Sequence, residues 1–306
     1  MNHDKEKNRK QKVKTVILIP IGPDCQIRFI ADTIESIYFY MSPSSKVILV
    51  DDSMKKTGND ILQQFNNVDV ITIQGGVRGR PNYGLLAGLY LSLSKGLKLA
   101  YEKYDFDVLL RMDTDALVIG SNPDDDAIAE FARDPNLGLI GSFRVDCRGN
   151  LRGYGSTIDT LNESLRLKEL LKHPRSRFPG WFYWKSFYSK AIKNGYQPGD
   201  QCQGGAYFMS YECVKRLYQM DLLERYDLQW INLHEDQIFG LLTYVTGLKL
   251  GDFATGDYPM GIKHQGLPWH PEELIKRGKK ITHSTRFFEE LGEEAIRDIF
   301  QAARKR

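Results

Sequence analysis

The feature that most constrains this chain is the run Val108-Leu-Leu-Arg-Met-Asp-Thr-Asp-Ala-Leu-Val118. A stretch rich in β-forming apolar residues stops at Asp113-Thr114-Asp115, which reads as a buried strand delivering two carboxylates to its carboxyl end. Open α/β sheets keep their ligands at that end. Two carboxylates one residue apart are poorly tolerated as anions without a cation or donors nearby, so a divalent metal carrying phosphate is the first chemistry to consider. The plainer alternative is a strand-to-loop turn with solvated acids, and the motif alone does not separate the two.

The surrounding sequence supplies a sheet for that strand. Val16–Ile21, Lys46–Val50 and Val68–Ile73 have strand length and composition, and they alternate with helical spacings at Phe29/Ile30/Ile34/Ile37, at Ile61/Leu62/Phe65, and from Asn82 to Tyr101. That alternation predicts an α/β fold with a Rossmann-like, mixed but mainly parallel sheet flanked by helices, in one compact domain of two abutting halves. Further strands are predicted at Leu137–Phe143, from Gly204-Gly205 to Ser210, and near Lys249 and Met260. Helices are predicted from Asn122, from Glu212, over His234–Val245, and from about Glu289 to the end. The segment 145–200 is expected to be less regular, with an aromatic block, Phe178–Tyr188, that suits either a sugar platform or core packing.

Charge narrows the function classes. Residues 1–14 carry six Lys/Arg against Asp4 and Glu6, a net +4, so the whole-chain +3 leaves the other 292 residues at −1. The body is therefore no nucleic-acid surface. Residues 1–13 read as a basic disordered tail, open to weak contact with an anionic membrane surface, and no run of signal-peptide or membrane-span length follows them. Cys25, Cys147, Cys202 and Cys213 lack metal-site or disulfide spacing, which leads us to expect a reduced, cytoplasmic protein.

Three acidic sites stand where elements start or stop: Asp51/Asp52, Asp113/Asp115 and Glu235/Asp236. They come in order with a proline-containing first strand end (Ile19-Pro-Ile-Gly22), Gly79-Arg-Pro-Asn-Tyr-Gly84 before a helix, Gly204-Gly205, His234-Glu235-Asp236 opening a helix, and Ile281-Thr-His-Ser284. This ordered set resembles the nucleotide-sugar-dependent glycosyltransferases of the GT-A fold, family-2-like, over most of residues 14–285. The resemblance implies a nucleotide-sugar-binding half (14–120), an acceptor and catalytic half (121–285), and a C-terminal helix (286–306) packing back. It implies a metal-dependent, inverting transfer from a nucleoside-diphosphate donor to a glycan or lipid-linked acceptor.

On that resemblance Asp115 binds the metal directly, Asp113 holds ribose and the metal, and His283 is a further ligand, with His264 the second choice. An imidazole ligand points to Mn²⁺ before Mg²⁺. Pro20, Asp52, Arg80, Gly204 and Gly205 fall on the donor side; Asp52 suits the imide N–H of uracil, a contact cytosine cannot offer, so UDP is favoured, with GDP the runner-up because guanine N1–H can also donate to an Asp. Asp236 is the expected base, with Glu235 beside it at the same helix start. Arg111, inside an apolar strand, is expected to pair with an acid.

Two other readings stay open. A haloacid-dehalogenase-like phosphatase would use Asp113 as nucleophile and Asp115 as acid, with Gly251–Asp257 mimicking its later acidic motif, though Leu117 stands where that signature prefers Thr. A non-catalytic nucleotide-sugar-binding relative would share the site but predicts a broken one. No Gly-x-Gly-x-x-Gly follows the first strand and no Gly-Lys-Ser/Thr occurs, which disfavours a dinucleotide dehydrogenase and a P-loop enzyme.

Overall fold

The apolar runs become neighbouring strands of one sheet. A computed structural model describes residues 10–22, 25–53, 55–73, 87–172 and 174–305. Gln11–Lys12 (β1), Thr15–Ile21 (β2), Ile27–Tyr40 (α1), Lys46–Asp51 (β3), Thr57–Leu62 (α2), Val68–Thr72 (β4), Ala87–Lys103 (α3), Tyr104–Asp105 (β5) and Val108–Met112 (β6) build the first half. Ala116–Val118 (β7), Pro123–Arg133 (α4) and Leu137–Gly141 (β8) follow, then the helices Gly155–Ser164 (α5), Leu167–Lys172 (α6) and Pro174–Lys193 (α7). Next come Ala206–Ser210 (β9), Tyr211–Gln219 (α8), Glu235–Val245 (α9), Lys249–Asp252 (β10), Met260–Ile262 (β11) and Pro271–Lys276 (α10). Ile281–His283 (β12), Phe287–Phe288 (β13), Leu291–Gly292 (β14) and Glu293–Arg304 (α11) end the chain.

The main sheet has seven strands in the order β10-β8-β9-β6-β2-β3-β4. β6, β2, β3 and β4 are parallel, and β9 lies antiparallel between β6 and β8. Along β2, Val16 and Leu18 enter one core and Ile17, Ile19 and Ile21 the other, the period of a strand buried on both faces. Helices α3, α7, α8 and α9 cover the first face and α1 and α4 the second. Helix α3 sits close on β2 because Gly96 has no side chain; a Cβ there would lie 2.2 Å from Leu18 Cδ1. The result is the mixed, mainly parallel α/β architecture expected.

Two consequences fix the site. The carboxyl ends of β2, β3 and β6 lie along one edge of the sheet. Because β9 is antiparallel to β6, with Met112 opposite Ala206, residues just before β9 meet residues just after β6. A second sheet, β11-β12-β7, carries Ile281–His283 back beside Ala116–Val118, with His283 opposite Ala116.

The structure corrects several boundaries. The tail ends before residue 11, because Gln11–Lys12 pairs with Tyr104–Asp105 and Val13 is buried. The stretch 145–200 contains three helices where a less regular chain was expected. Trp181, Trp184 and Ala191 recur at helical spacing on the buried side of α7, a period obscured in the sequence by Pro179 within the helix. Trp184 is fully buried and its Nε1–H donates to Ser164 Oγ at 2.9 Å, so this part of the aromatic block is core. Tyr183 is half-exposed, with the Arg225 guanidinium 4.3 Å from its ring centre. The C-terminal helix starts only at Glu293, after the β13–β14 hairpin. Arg80, the loop 79–84, Gly75-Gly76 and residues 1–9 of the basic tail lie outside the described residues.

Candidate active site and metal centre

Strand β6 ends at Met112, and the chain then turns, with the Asp113 N–H donating to Gly205 O at 2.7 Å and Ala116 N–H to Asp113 O at 3.1 Å. Asp115 points into the molecule. Its carboxylate accepts from Ser284 Oγ at 2.7 Å, forms an ion pair with Arg286 Nε at 2.8 Å, and lies 3.4 Å from His283 Nε2. The second carboxylate, of Asp113, is 3.8 Å from the same nitrogen. Ligand atoms of Asp113, Asp115 and His283 all lie within 4.8 Å of one another.

The histidine is oriented for ligation. Its Nδ1 lies 3.0 Å from Lys263 O, and a carbonyl only accepts, so Nδ1 carries the proton and Nε2 faces the two carboxylates. Burial works against ionising Asp115, but His283, Arg286 and Ser284 outweigh it and hold its pKa well below the ordinary carboxylate value. Burial likewise works against protonated His283, while Asp115 and Asp113 outweigh it and raise its pKa. A buried histidine between two carboxylates is the donor set a first-row divalent cation accepts. His264 is exposed and is not in the cluster.

The glycine pair before β9 ties this centre to α9. Gly205 has φ +100°, and a Cβ there would lie 2.5 Å from the His283 ring. Gly204 donates its N–H to Asp236 Oδ2 at 2.9 Å, and Gln237 N–H donates to Oδ1 at 2.9 Å. A side chain at 205 would both strain the backbone and displace the histidine. Gly205→Ala is therefore expected to cost about 1–3 kcal/mol from backbone strain alone. It should also weaken binding of a divalent cation, both checked by denaturant unfolding and Mn²⁺ titration of the same sample.

Glu235 and Asp236, adjacent in sequence, occupy different environments. Glu235 is 4% exposed and its carboxylate is 2.7 Å from Arg111 Nη2, which also contacts Asp113 at 2.9 Å. Burial pushes the Glu235 carboxyl up to about 7, Arg111 opposing and the Asp236 and Asp113 charges adding to it. Arg111 thus bridges the strand that carries the Asp-x-Asp run and the helix that carries Asp236. Asp236 is only half-buried and sits on the Gly204 side of the cluster.

Solved structures that this chain resembles include proteins named as sugar transferases. One is the galactosyltransferase LgtC in complex with donor and acceptor sugar analogs, 12% identical, covering 95% of each chain at a TM-score of 0.47. Another is the mannosyltransferase PcManGT from Pyrobaculum calidifontis in complex with GDP-Man and Mn²⁺, 13% identical over 80% of this chain and 56% of that one, at 0.43. A third is S. aureus TarS 1-349 in complex with UDP, 16% identical over 79% of this chain and 58% of that one, at 0.45. No family model and no curated protein matches the sequence.

The two acids at the carboxyl end of β3 differ in their contacts. Asp51 accepts from Ser53 N at 2.8 Å and Gly58 N at 2.7 Å, fixing the turn into α2. Asp52 follows it at the carboxyl edge of the sheet, its N–H on Ile21 O at 3.1 Å. Pro20 lies opposite Val50, beyond Leu18↔Arg111, where pairing of β2 with β6 stops, so its missing N–H leaves no gap in that ladder.

Sequence reasoning missed what holds Asp115 from the far end of the chain: Arg286 on its carboxylate, and Thr285, whose N–H donates to Asp115 O at 2.8 Å. Ser284 stands out in the sequence only as the end of a His-Ser strand. Nothing local links these residues to a motif about 170 positions earlier.

Proposed function

We propose that the chain is a metal-dependent glycosyltransferase of the GT-A type, moving a sugar from a nucleoside-diphosphate donor, with UDP-sugar favoured, to a glycan or lipid-linked acceptor with inversion. The observation that carries this reading is the Asp113–Asp115–His283 cluster at the carboxyl edge of the sheet, joined through Gly204-Gly205 to a half-buried Asp236. Asp113, Asp115 and His283 would hold the ion, with Mn²⁺ preferred over Mg²⁺ because of the imidazole. When bound, the ion supplies positive charge against a departing diphosphate.

The chain's own residues do the rest. Asp52 accepts from the uracil imide N–H and selects the base. Asp236 accepts the acceptor hydroxyl proton as that oxygen bonds to the anomeric carbon and the bond to the diphosphate oxygen breaks. Gly204 N–H and Gln237 N–H occupy one lone pair on each Asp236 oxygen and fix the carboxylate for that transfer. Glu235, engaged with Arg111, positions Asp113. Pro20, Gly204 and Gly205 shape the donor side by close backbone approach, and Arg80 belongs to the same side. Contact of the basic tail with an anionic membrane and a cytoplasmic location belong to this proposal; among the described residues no helix is long and apolar enough to cross a membrane.

The phosphatase alternative loses support from topology. Its acidic mimic begins on β10, separated from β6 by β8 and β9, and Asp252 is occupied by the N–H groups of Phe143 and Val145 at 3.2 and 3.0 Å. A thermal-shift panel of UDP, GDP, CMP and p-nitrophenyl phosphate, each with and without Mn²⁺, tests the reading. UDP with Mn²⁺ is expected to stabilise, by about 2.7 kcal/mol at a hundredfold excess over its Kd. Hydrolysis of p-nitrophenyl phosphate with no nucleotide shift would instead establish the phosphatase.

A further inference from the structure

The Asp-x-Asp turn is gripped from behind by the C-terminal helix. Arg297 of α11 is 2% exposed, and its Nη2 donates to Thr114 O, the carbonyl between the two acids, at 2.7 Å. Nη1 pairs with buried Asp32 of α1 at 2.7 Å and reaches Phe29 O at 3.1 Å, while Nε donates to Glu293 Oε1 at 3.0 Å. Thr33 Oγ1 donates to the same Thr114 carbonyl at 2.9 Å. The grip continues on the other side of the turn. Glu293 Oε1 lies 3.2 Å from the Thr285 hydroxyl, which is 3.0 Å from Asp115 O. Asp32 is held in turn by Gln301 Nε2 at 3.0 Å and by Arg304.

A buried Arg–Asp pair in itself says little, since such pairs often serve packing alone. Here the guanidinium fork is used in two directions: one side neutralises Asp32, and the other fixes a backbone carbonyl flanked by the two acids. The planar fork suits that double task, and a lysine ammonium on its flexible stem does not. We infer that Arg297 is a positioning residue for the metal centre: α11 sets the geometry of Asp113 and Asp115, and hence the affinity for the divalent cation. The inference rests on the metal reading of Asp113, Asp115 and His283 given above. Outer-sphere contacts of this kind govern metal affinity by about 10–100-fold.

The test is a Mn²⁺ titration of the full chain, followed by the electron paramagnetic resonance signal of the free ion, at a temperature where each variant is folded by circular dichroism. Arg297→Lys keeps a cation for Asp32 but loses the fork. The double variant Asp32→Asn/Arg297→Met removes both charges of that pair, while Glu293 and Arg304 each lose one partner. Both are expected to bind Mn²⁺ about 10–100-fold more weakly. Gln301→Ala, which touches Asp32 but not the turn, should bind as the unaltered chain does. Folded Arg297 variants with unaltered Mn²⁺ affinity, even at a lowered melting temperature, would reduce the residue to a packing role and overturn the inference. Asp115→Asn separates that failure from failure of the underlying reading. If it binds Mn²⁺ as well as the unaltered chain, or the unaltered chain binds none, the metal centre is misassigned and the inference falls with it.

Discussion

Asp236→Asn is expected to lower sugar transfer by about 10²–10⁴-fold while UDP binding persists. The substitution is nearly isosteric, and an Asn side-chain oxygen can still accept one of the two N–H bonds that reach Asp236 from Gly204 and Gln237. What it removes is the basic carboxylate that takes the acceptor proton. Asp236 is not in the Asp113–Asp115–His283 cluster, so metal and nucleotide should bind as before. The measurement is a pair of assays on one preparation: UDP release with acceptor present, and UDP affinity at equilibrium. Loss of both together would make Asp236 part of the donor site, and retained transfer would remove it as the base.

His283→Ala is expected to weaken Mn²⁺ binding and to flatten its dependence on pH. A histidine ligand must give up its proton before it coordinates, and the Asp113 and Asp115 charges raise the His283 pKa above its ordinary 6.5. In the unaltered chain Mn²⁺ affinity should therefore rise with pH through a window that lies above 6.5. The metal-free protein should show the opposite trend in stability. A histidine with a raised folded-state pKa stabilises fully below 6.5 and loses that contribution as pH rises through the folded value. Asp115, with its pKa held low, contributes in the other direction: its share is present above the ordinary carboxylate range and disappears as pH falls through the folded value. Mn²⁺ titrations at several pH values, beside unfolding of the metal-free chain, separate the two trends. An unchanged pH profile in His283→Ala would remove His283 from the ligand set.

Much of the fold could be read locally. Val16–Ile21, Val47–Val50 and Val108–Leu110 are continuous apolar runs because their strands are covered on both faces, and such runs announce themselves. The Asp-x-Asp, Gly-Gly, Glu-Asp and His-Ser signatures likewise lie at element ends, where a change of backbone direction coincides with a change of residue chemistry. That Asp51 caps the turn was not legible, since only the path of the following turn decides which carboxylate meets Gly58 N–H. Helix α7 was hidden because a stripe of aromatics around a proline mimics irregular chain. The braces on the turn, from Ser284, Arg286 and Arg297, were hidden for a different reason: long-range contacts leave no pattern in neighbouring residues.

The central claim is that Asp113, Asp115 and His283 together hold a cation on which nucleotide binding depends. Isothermal titration of UDP into the unaltered chain, with Mn²⁺ and then with EDTA, tests it most directly when repeated on Asp115→Asn. UDP is expected to bind with Mn²⁺ and to lose about tenfold or more in affinity, about 1.4 kcal/mol, on chelation or on substitution of Asp115. Equal UDP affinity under all three conditions would contradict the account.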